Sequence, residues 1–410
     1  MKPVTLYAAQ VSLYSGKTRS YLRYKGIPFN EVLPSQHVLQ QIIKPRTGLA
    51  MIPVVITADD HAVQDTSSII DFFEAQVPER PVMPAGPVQR LVAHLIELYA
   101  DEWLLLPAMH YRWAYPRHHA WMILREFGAM FAPNRPKWMQ PIFGLPVFVY
   151  FGLGHGRVLG IDRHTRGAIE AGYERFLAAF DAHLAVHPYV LGGHPTLADF
   201  GLMAPLYAHL YRDPYSGRLM KRLAPRVADW VERMNAPEAQ TFGPLVPDDH
   251  IPDTLLPILT HAFTEQWPVI ADTWAAVTAP DAAHPDGRLP RFVGRHRFRV
   301  GDAHSTRAIQ SYTAWMSQRS FAAYSALDGE ERVRADTLLD QLGGDAVKVP
   351  PKVELTRKMG KVFRGSDQRT RCGNRPNSCD DFGQEETSAR TSDTAHSLMG
   401  TSHNPTPRPL

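Results

Sequence analysis

The sequence predicts an α+β domain followed by all-α segments, and three observations predict it. Over the first ~80 residues, short apolar runs bounded by turn residues alternate with helical stretches in the order β-α-β-α-β-β-α. From Val88 onward the apolar residues instead recur at helical spacing. Between the two lies a junction punctuated by Pro78, Pro81, Pro84 and Pro87.

Residues 4–8 read as a short buried strand. Thr18 to Tyr24 reads as a helix, stopped by Gly26-Ile27-Pro28. Phe29 to Leu33 is a second strand and Gln36 to Ile43 a short helix. Pro53-Val54-Val55-Ile56 and His61-Ala62-Val63 are two strands joined by the turn Thr57-Ala58-Asp59-Asp60. In 66–76, Ile69, Ile70, Phe72 and Phe73 fall at helical spacing.

These readings divide the chain into 1–82, an all-helical domain at 88–245, a mainly helical extension with a short strand or hairpin at 251–345, and a disordered tail at 353–410. In the helical domain, stripes such as Ile169, Tyr173, Phe176, Phe180 and Leu184 mark long helices. The apolar stretch Trp138 to Leu159 has only 13 uninterrupted apolar positions and contains Pro and Gly. It is expected to be a buried or pocket-lining insertion rather than a membrane span. In the extension, Leu255 to Val277 and Thr306 to Ala323 read as helices. Between them Arg295, Arg297 and Arg299 alternate with His296, Phe298 and Val300, the pattern of a half-buried strand with a solvated face. The tail is rich in Ser, Thr, Asn, Asp, Arg and Pro.

Composition narrows the function. The 410 residues carry a net charge of only +3, so no global field points to nucleic acid or to an anionic membrane. The two cysteines, Cys372 and Cys379, both sit in the polar tail, which excludes a disulfide framework and a cysteine zinc site. His118-His119 has no carboxylate at ligand spacing, so no metal is expected. The N-terminus reads as a strand with no apolar signal segment, and a cytoplasmic location is expected.

Three anchors carry the chemistry: Ser12-Leu13-Tyr14-Ser15, Met51-Ile52-Pro53 and Asp65-Thr66-Ser67-Ser68. The first lies in a strand-to-helix turn, the second precedes a strand and the third opens a helix. In order and residue type they resemble the N-terminal domain of the glutathione S-transferase superfamily. The register from Val4 to Ser12 is similar to its theta-type, serine-using members. Pro195-Thr196-Leu197-Ala198-Asp199-Phe200 resembles the capping box of that family's helical domain, with Thr196 as cap and Asp199 reaching back.

The resemblance implies a thioredoxin-like domain followed by the all-helical domain; it leaves 251–410 unaccounted for. It implies that Ser12 donates a hydrogen bond to the sulfur of glutathione and favours the thiolate, the attacking species. Tyr7 is the alternative donor, with Tyr14 and Ser15 behind it. Both positions of a Cys-x-x-Cys pair are serine, which argues against dithiol redox chemistry. A cis-proline at Pro53 would present the Ile52 backbone to the ligand like an added strand. Asp65 and Thr66 would take the γ-glutamyl group, and Lys44 its glycine carboxylate. The region from Met109 to Tyr115 would face a second substrate. The expected activity is glutathione transfer to a hydrophobic electrophile, a detoxification chemistry, in a family that commonly forms homodimers. The alternative is a non-catalytic interaction module built on the same fold.

Overall fold

The computed structural model describes residues 2–237 and 240–365. Its first part comprises β1 (Val4–Tyr7), α1 (Leu13–Lys25), β2 (Phe29–Val32), a π-helical turn (Val38–Ile43) running into α2 (Lys44–Thr47), β3 (Val54–Ile56), β4 (Ala62–Gln64) and α3 (Thr66–Glu74). The sheet order is β2-β1-β3-β4; β1 runs parallel to β2 and antiparallel to β3, and β4 is antiparallel to β3. The alternation of β1 divides its side chains. Val4 and Leu6 enter the main core with α1 and α3, while Tyr7 packs on the other face against Leu39, Ile43 and Val54. α1 starts earlier than its apolar spacing suggests, because Ser12 caps it, and it stops at Gly26 in the left-handed region (φ 68°).

The helical part comprises α4 (Pro87–Leu98), α5 (Leu105–Ala114), α6 (Ala120–Phe131), α7 (Gln140–Leu159), α8 (Arg166–Leu184), α9 (Leu197–Pro205), α10 (Pro214–Leu223) and α11 (Pro225–Asn235). The box at the start of α9 is present. The Thr196 N–H donates to Asp199 Oδ2 at 2.9 Å, and Asp199 Oδ1 also accepts from Val190 N and Trp230 Nε1.

The extension holds α12 (Leu256–His261), α13 (Trp267–Thr278), the hairpin β5 (Phe292–Val300) and β6 (Ala303–Gln310), α14 (Ser311–Ser325), α15 (Gly329–Leu342), and a second hairpin, β7 (Leu355–Lys358) and β8 (Lys361–Arg364). Arg295, Arg297 and Arg299 are exposed along β5 as the alternation requires. α14 packs on α4, so the extension shares one compact unit with the preceding parts.

Three expectations are corrected. Residues 306–310 are the end of β6, not helix, because they pair with β5. Disorder does not begin at 353: Leu355 and Val362 are buried and β7–β8 closes through Met359 and Gly360, both at positive φ, the geometry of a two-residue hairpin turn. With one buried residue in each of these short strands, the polar composition of that stretch carries little strand signal. The remainder of the expected tail, from 366 and including Cys372 and Cys379, lies outside the described residues. Residues 138–159 are not a buried insertion throughout. They contain the 20-residue α7, whose Val147, Phe148 and Phe151 pack inward while Ile142, Leu145 and Val149 are exposed.

Candidate active site

Strand register assembles the anchors. Tyr7 pairs with Val54, and Val54 with Gln64, so the three form one row across the sheet. The chain leaves this row toward Ser12, enters it from Ile52-Pro53 and leaves it again at Asp65. All three anchors therefore meet at one end of the sheet. Neighbouring strands lie ~4.8 Å apart, so the three strand ends span about 10 Å, the scale of a tripeptide laid across them. A surface hollow lined by Val4, Thr57, His61 and Phe72 opens at the opposite end of the same sheet, away from the anchors.

Ser12 is half-buried and caps α1, its Oγ accepting from Ser15 N at 3.4 Å. A hydroxyl has two acceptor lone pairs and one donor. The cap uses a lone pair, and the Ser12 O–H donates to no described residue. Capping and donation to a ligand sulfur are thus compatible, and the positive end of α1 lies at the same atom. The turn is held from the helical domain. Buried Arg112 of α5 donates through Nη1 to Val11 O at 2.6 Å, while its Nε and Nη2 form a fork to Asp213 at 2.7 Å each. Ser15 is buried and its Oγ accepts from Ala9 N. The Tyr14 hydroxyl donates to Asp101 O. Tyr7 turns its ring into the cluster of Leu39, Ile43 and Val54 on the other sheet face.

The Ile52–Pro53 bond is cis. Among the described residues neither the N–H nor the C=O of Ile52 has a hydrogen-bond partner. Such a pair, lying just beyond the last β1–β3 pairing, is a free edge that an extended ligand backbone satisfies. Gln64 steadies the approach, its Nε2 donating to Leu49 O and Met51 O at 3.1 and 2.9 Å.

The third anchor is divided. Thr66 is buried at the first position of α3, and neither its N–H nor its hydroxyl is engaged among the described residues. These two donors suit a carboxylate. Asp65 is engaged: Oδ1 accepts from Ser67 N and Ser68 N at 3.1 and 3.3 Å, and Oδ2 accepts from the Tyr312 hydroxyl at 2.5 Å. A ligand ammonium there must share Oδ2 with Tyr312 or displace it. The extension also reaches the second anchor: the Met359–Gly360 turn packs so closely on Gly48 and Leu49 that a Cβ on Gly48 would stand 2.1 Å from Met359 O. Arg357 donates to Gln64 O.

Behind the first and third anchors lies a buried charge network that sequence reasoning missed. Lys17 Nζ donates to Glu97 Oε1 at 2.8 Å and Asp101 Oδ2 at 2.6 Å, and Ser67 Oγ donates to the same Glu97 oxygen. Arg319 of α14 joins Glu97 (3.4 Å) and Asp71 (2.9 Å). Burial by itself disfavours the Lys17 charge, but the two carboxylates outweigh it and raise its pKa. Burial raises the Asp101 pKa to about 7 against the pull of Lys17. Glu97 goes the other way: Lys17 and Arg319 overcome burial and hold it well below its ordinary value. The signal that existed was weak, a lysine at an apolar position of α1 and two acids at i, i+4 from α4 onward.

Lys44 is exposed at the start of α2 and forms no ion pair among the described residues. Of the 109–115 region, Tyr111 and Tyr115 pack against Tyr173 and Tyr215, while Trp113 turns the other way onto Phe148 and Phe151. Trp113 thereby joins Ala9, Val11, Ile52, Ile123 and Phe127 in an apolar cluster beside the first two anchors. The arrangement holds a hydroxyl donor at a helix N-terminus, a free backbone edge, a carboxylate-suited helix start and an apolar wall.

Comparison with known proteins gives two family matches. The model described as glutathione S-transferase, N-terminal domain, matches residues 6–81, and that described as glutathione S-transferase, C-terminal domain, matches residues 163–233. No curated protein sequence matches the chain. Similar solved structures include a glutathione transferase from Phanerochaete chrysosporium (17% identity, 59% of this chain and 99% of that one, TM-score 0.42). A beta-etherase from Sphingobium sp. strain SYK-6 gives 18% identity over 57% of this chain and 95% of that one, with a TM-score of 0.41. A glutathione S-transferase from Methylobacterium radiotolerans, solved with glutathione sulfonate, gives 18% identity over 60% and 99%, with a TM-score of 0.36.

Proposed function

Since the chain belongs to the glutathione S-transferase superfamily, we propose that it binds glutathione across the row of strand ends and transfers the thiolate to a hydrophobic electrophile. The observation that carries this reading is the unpartnered Ile52 backbone between Ser12 and Thr66. An extended cysteinyl residue pairing with Ile52 directs its side chain toward Ser12, whose free O–H favours thiolate over thiol. Its γ-glutamyl carboxylate reaches Thr66 N–H and Oγ–H. Its glycine carboxylate lies toward Lys44. The Trp113 and Ile52 cluster gives an apolar electrophile a surface beside the sulfur. Addition or displacement then needs only orientation and a stabilised thiolate.

The test is calorimetric titration of the full chain with glutathione, followed by thiol consumption with an aryl halide. Binding that Thr66→Ala weakens several-fold, with turnover that Ser12→Ala removes, supports the reading. Absence of binding at millimolar glutathione overturns it.

A second reading is favoured by the Tyr312–Asp65 contact at the third anchor and by the Met359–Gly360 turn against Gly48 and Leu49 beside the second. In it the protein is a non-catalytic module whose anchor is held by its own chain. Glutathione binding without turnover on any electrophile distinguishes it.

A further inference from the structure

We propose that the α6–α7 hairpin docks on an anionic lipid bilayer, with the outer face of α7 seated among the acyl chains. This inference is independent of the thiol site.

α6 and α7 cross at very close range. A Cβ on Gly128 would stand 1.9 Å from Gln140 O, and one on Gly144 2.2 Å from Leu124 O. The two helices are therefore locked as a unit, with Phe127 stacked on Phe151, and Trp113 of α5 meets α7 edge-on at Phe148. What this packing leaves outward is apolar. Ile142, Leu145 and Val149 recur at i, i+3, i+7 on one face and are 65%, 50% and 43% exposed. Trp138, beside the hairpin tip, is 73% exposed, and Trp121 on α6 is 62% exposed. α7 is long and apolar enough by length and composition to cross a membrane, yet little of it is buried in the chain. At 1.5 Å per residue its 20 residues run ~30 Å. A helix apolar all round belongs in a core or in lipid, and α7 is in a core on one side only.

Charge selects the partner. Residues 120–159 carry Arg125, Arg135, Lys137 and Arg157 against a single acid, Glu126, and Glu126 is already paired with Arg212 at 2.6 Å. Arg135 and Lys137 stand at the tip and Arg157 near the base, so cations flank the apolar face at both ends. Arg135 also stacks over the Phe143 ring. Anionic headgroups fit this arrangement, each basic residue near the surface contributing to attraction, while the exposed tryptophans suit the headgroup boundary. A second copy of the chain fits poorly. Self-pairing of the face brings either tip against tip or tip against base, and both juxtapose cations.

The experiment is flotation of the full chain with vesicles of phosphatidylcholine alone or with about a third phosphatidylglycerol. Wild type is expected to float with the anionic vesicles and several-fold less with the neutral ones, and to lose binding in high salt. The variant I142E/L145E/V149E, altered only at exposed positions, is expected to stay at the bottom. Tryptophan emission of wild type is expected to be quenched by brominated lipid, and less so in Trp138→Phe. Wild type that neither floats nor is quenched overturns the proposal, as does a triple variant that floats as well as wild type. A triple variant that instead converts a dimer to a monomer in sedimentation assigns the face to a second copy.

Discussion

The Tyr312 hydroxyl donates to Asp65 Oδ2 at 2.5 Å, joining two residues 247 positions apart. Burial and the neighbouring Asp65 and Glu102 carboxylates hold the phenol pKa well above its ordinary value, so Tyr312 stays a donor at every physiological pH. If Asp65 receives the ammonium of glutathione, Tyr312 competes for the same oxygen. Tyr312→Phe is then expected to tighten glutathione binding by up to about tenfold, equivalent to about 1.4 kcal/mol. Calorimetry checks this, and an unchanged Kd would remove Asp65 from ligand binding.

Arg112 links the helical domain to the turn before Ser12. Its removal leaves Asp213 buried without its partner and frees Val11 O. Arg112→Ala is expected to cost about 3–5 kcal/mol, read from denaturant unfolding. Arg112→Lys keeps the charge but not the planar fork, and should recover only part of that loss.

The Lys17 network gives stability a pH dependence with a defined sign. The Asp101 pKa is raised from its unfolded value to about 7. Its contribution is fully present below about pH 4 and is lost as pH rises to 7. Glu97 is lowered, so its contribution is lost only below its ordinary carboxylate range. Between pH 5 and 7 burial holds His110, His119, His183, His209 and His261 below their ordinary pKa, which makes stability rise with pH, and the Asp101 term opposes them. Asp199, raised to about 6 by burial, adds to the Asp101 term. Asp101→Asn should make Tm rise more steeply with pH than in wild type, because a contribution that falls over this window is gone. A slope that the substitution leaves unchanged would contradict the assignment.

The capping box supplies a test of the helical domain alone. Asp199→Ala strands the N–H groups of Val190 and Thr196 and the Trp230 indole in a buried setting. At about 1–3 kcal/mol for each unmet group, a loss of about 3–5 kcal/mol is expected in chemical denaturation. Asp199→Asn, which keeps an acceptor, should cost less.

What was legible in the sequence was local. Ser12, Pro53, Asp65 and Thr196 each announce themselves through a cap or a turn within a few residues, and the alternation of short strands fixes the register that unites the first three anchors. The Tyr312 contact joins segments with no common local pattern, so spacing carries no trace of it. β7–β8 was hidden because each strand has one buried residue, Leu355 or Val362, and the Thr, Arg and Lys around it look like a polar tail when counted rather than paired. α7 departs from the expected insertion because its prolines and glycines do not break the helix. Pro141 instead occupies the first turn, where no N–H is needed, and Gly144 admits the close crossing with α6.

Ser12 bears the weight of the proposed catalysis, and the ionisation of bound glutathione tests it most directly. Thiolate absorbance is followed against pH for glutathione bound to wild type and to Ser12→Ala. The predicted result is a bound thiol pKa shifted from about 8.5 toward neutrality in wild type, and return toward the free value in Ser12→Ala with binding retained. Identical titration of the thiol in the two proteins would contradict the role assigned to Ser12.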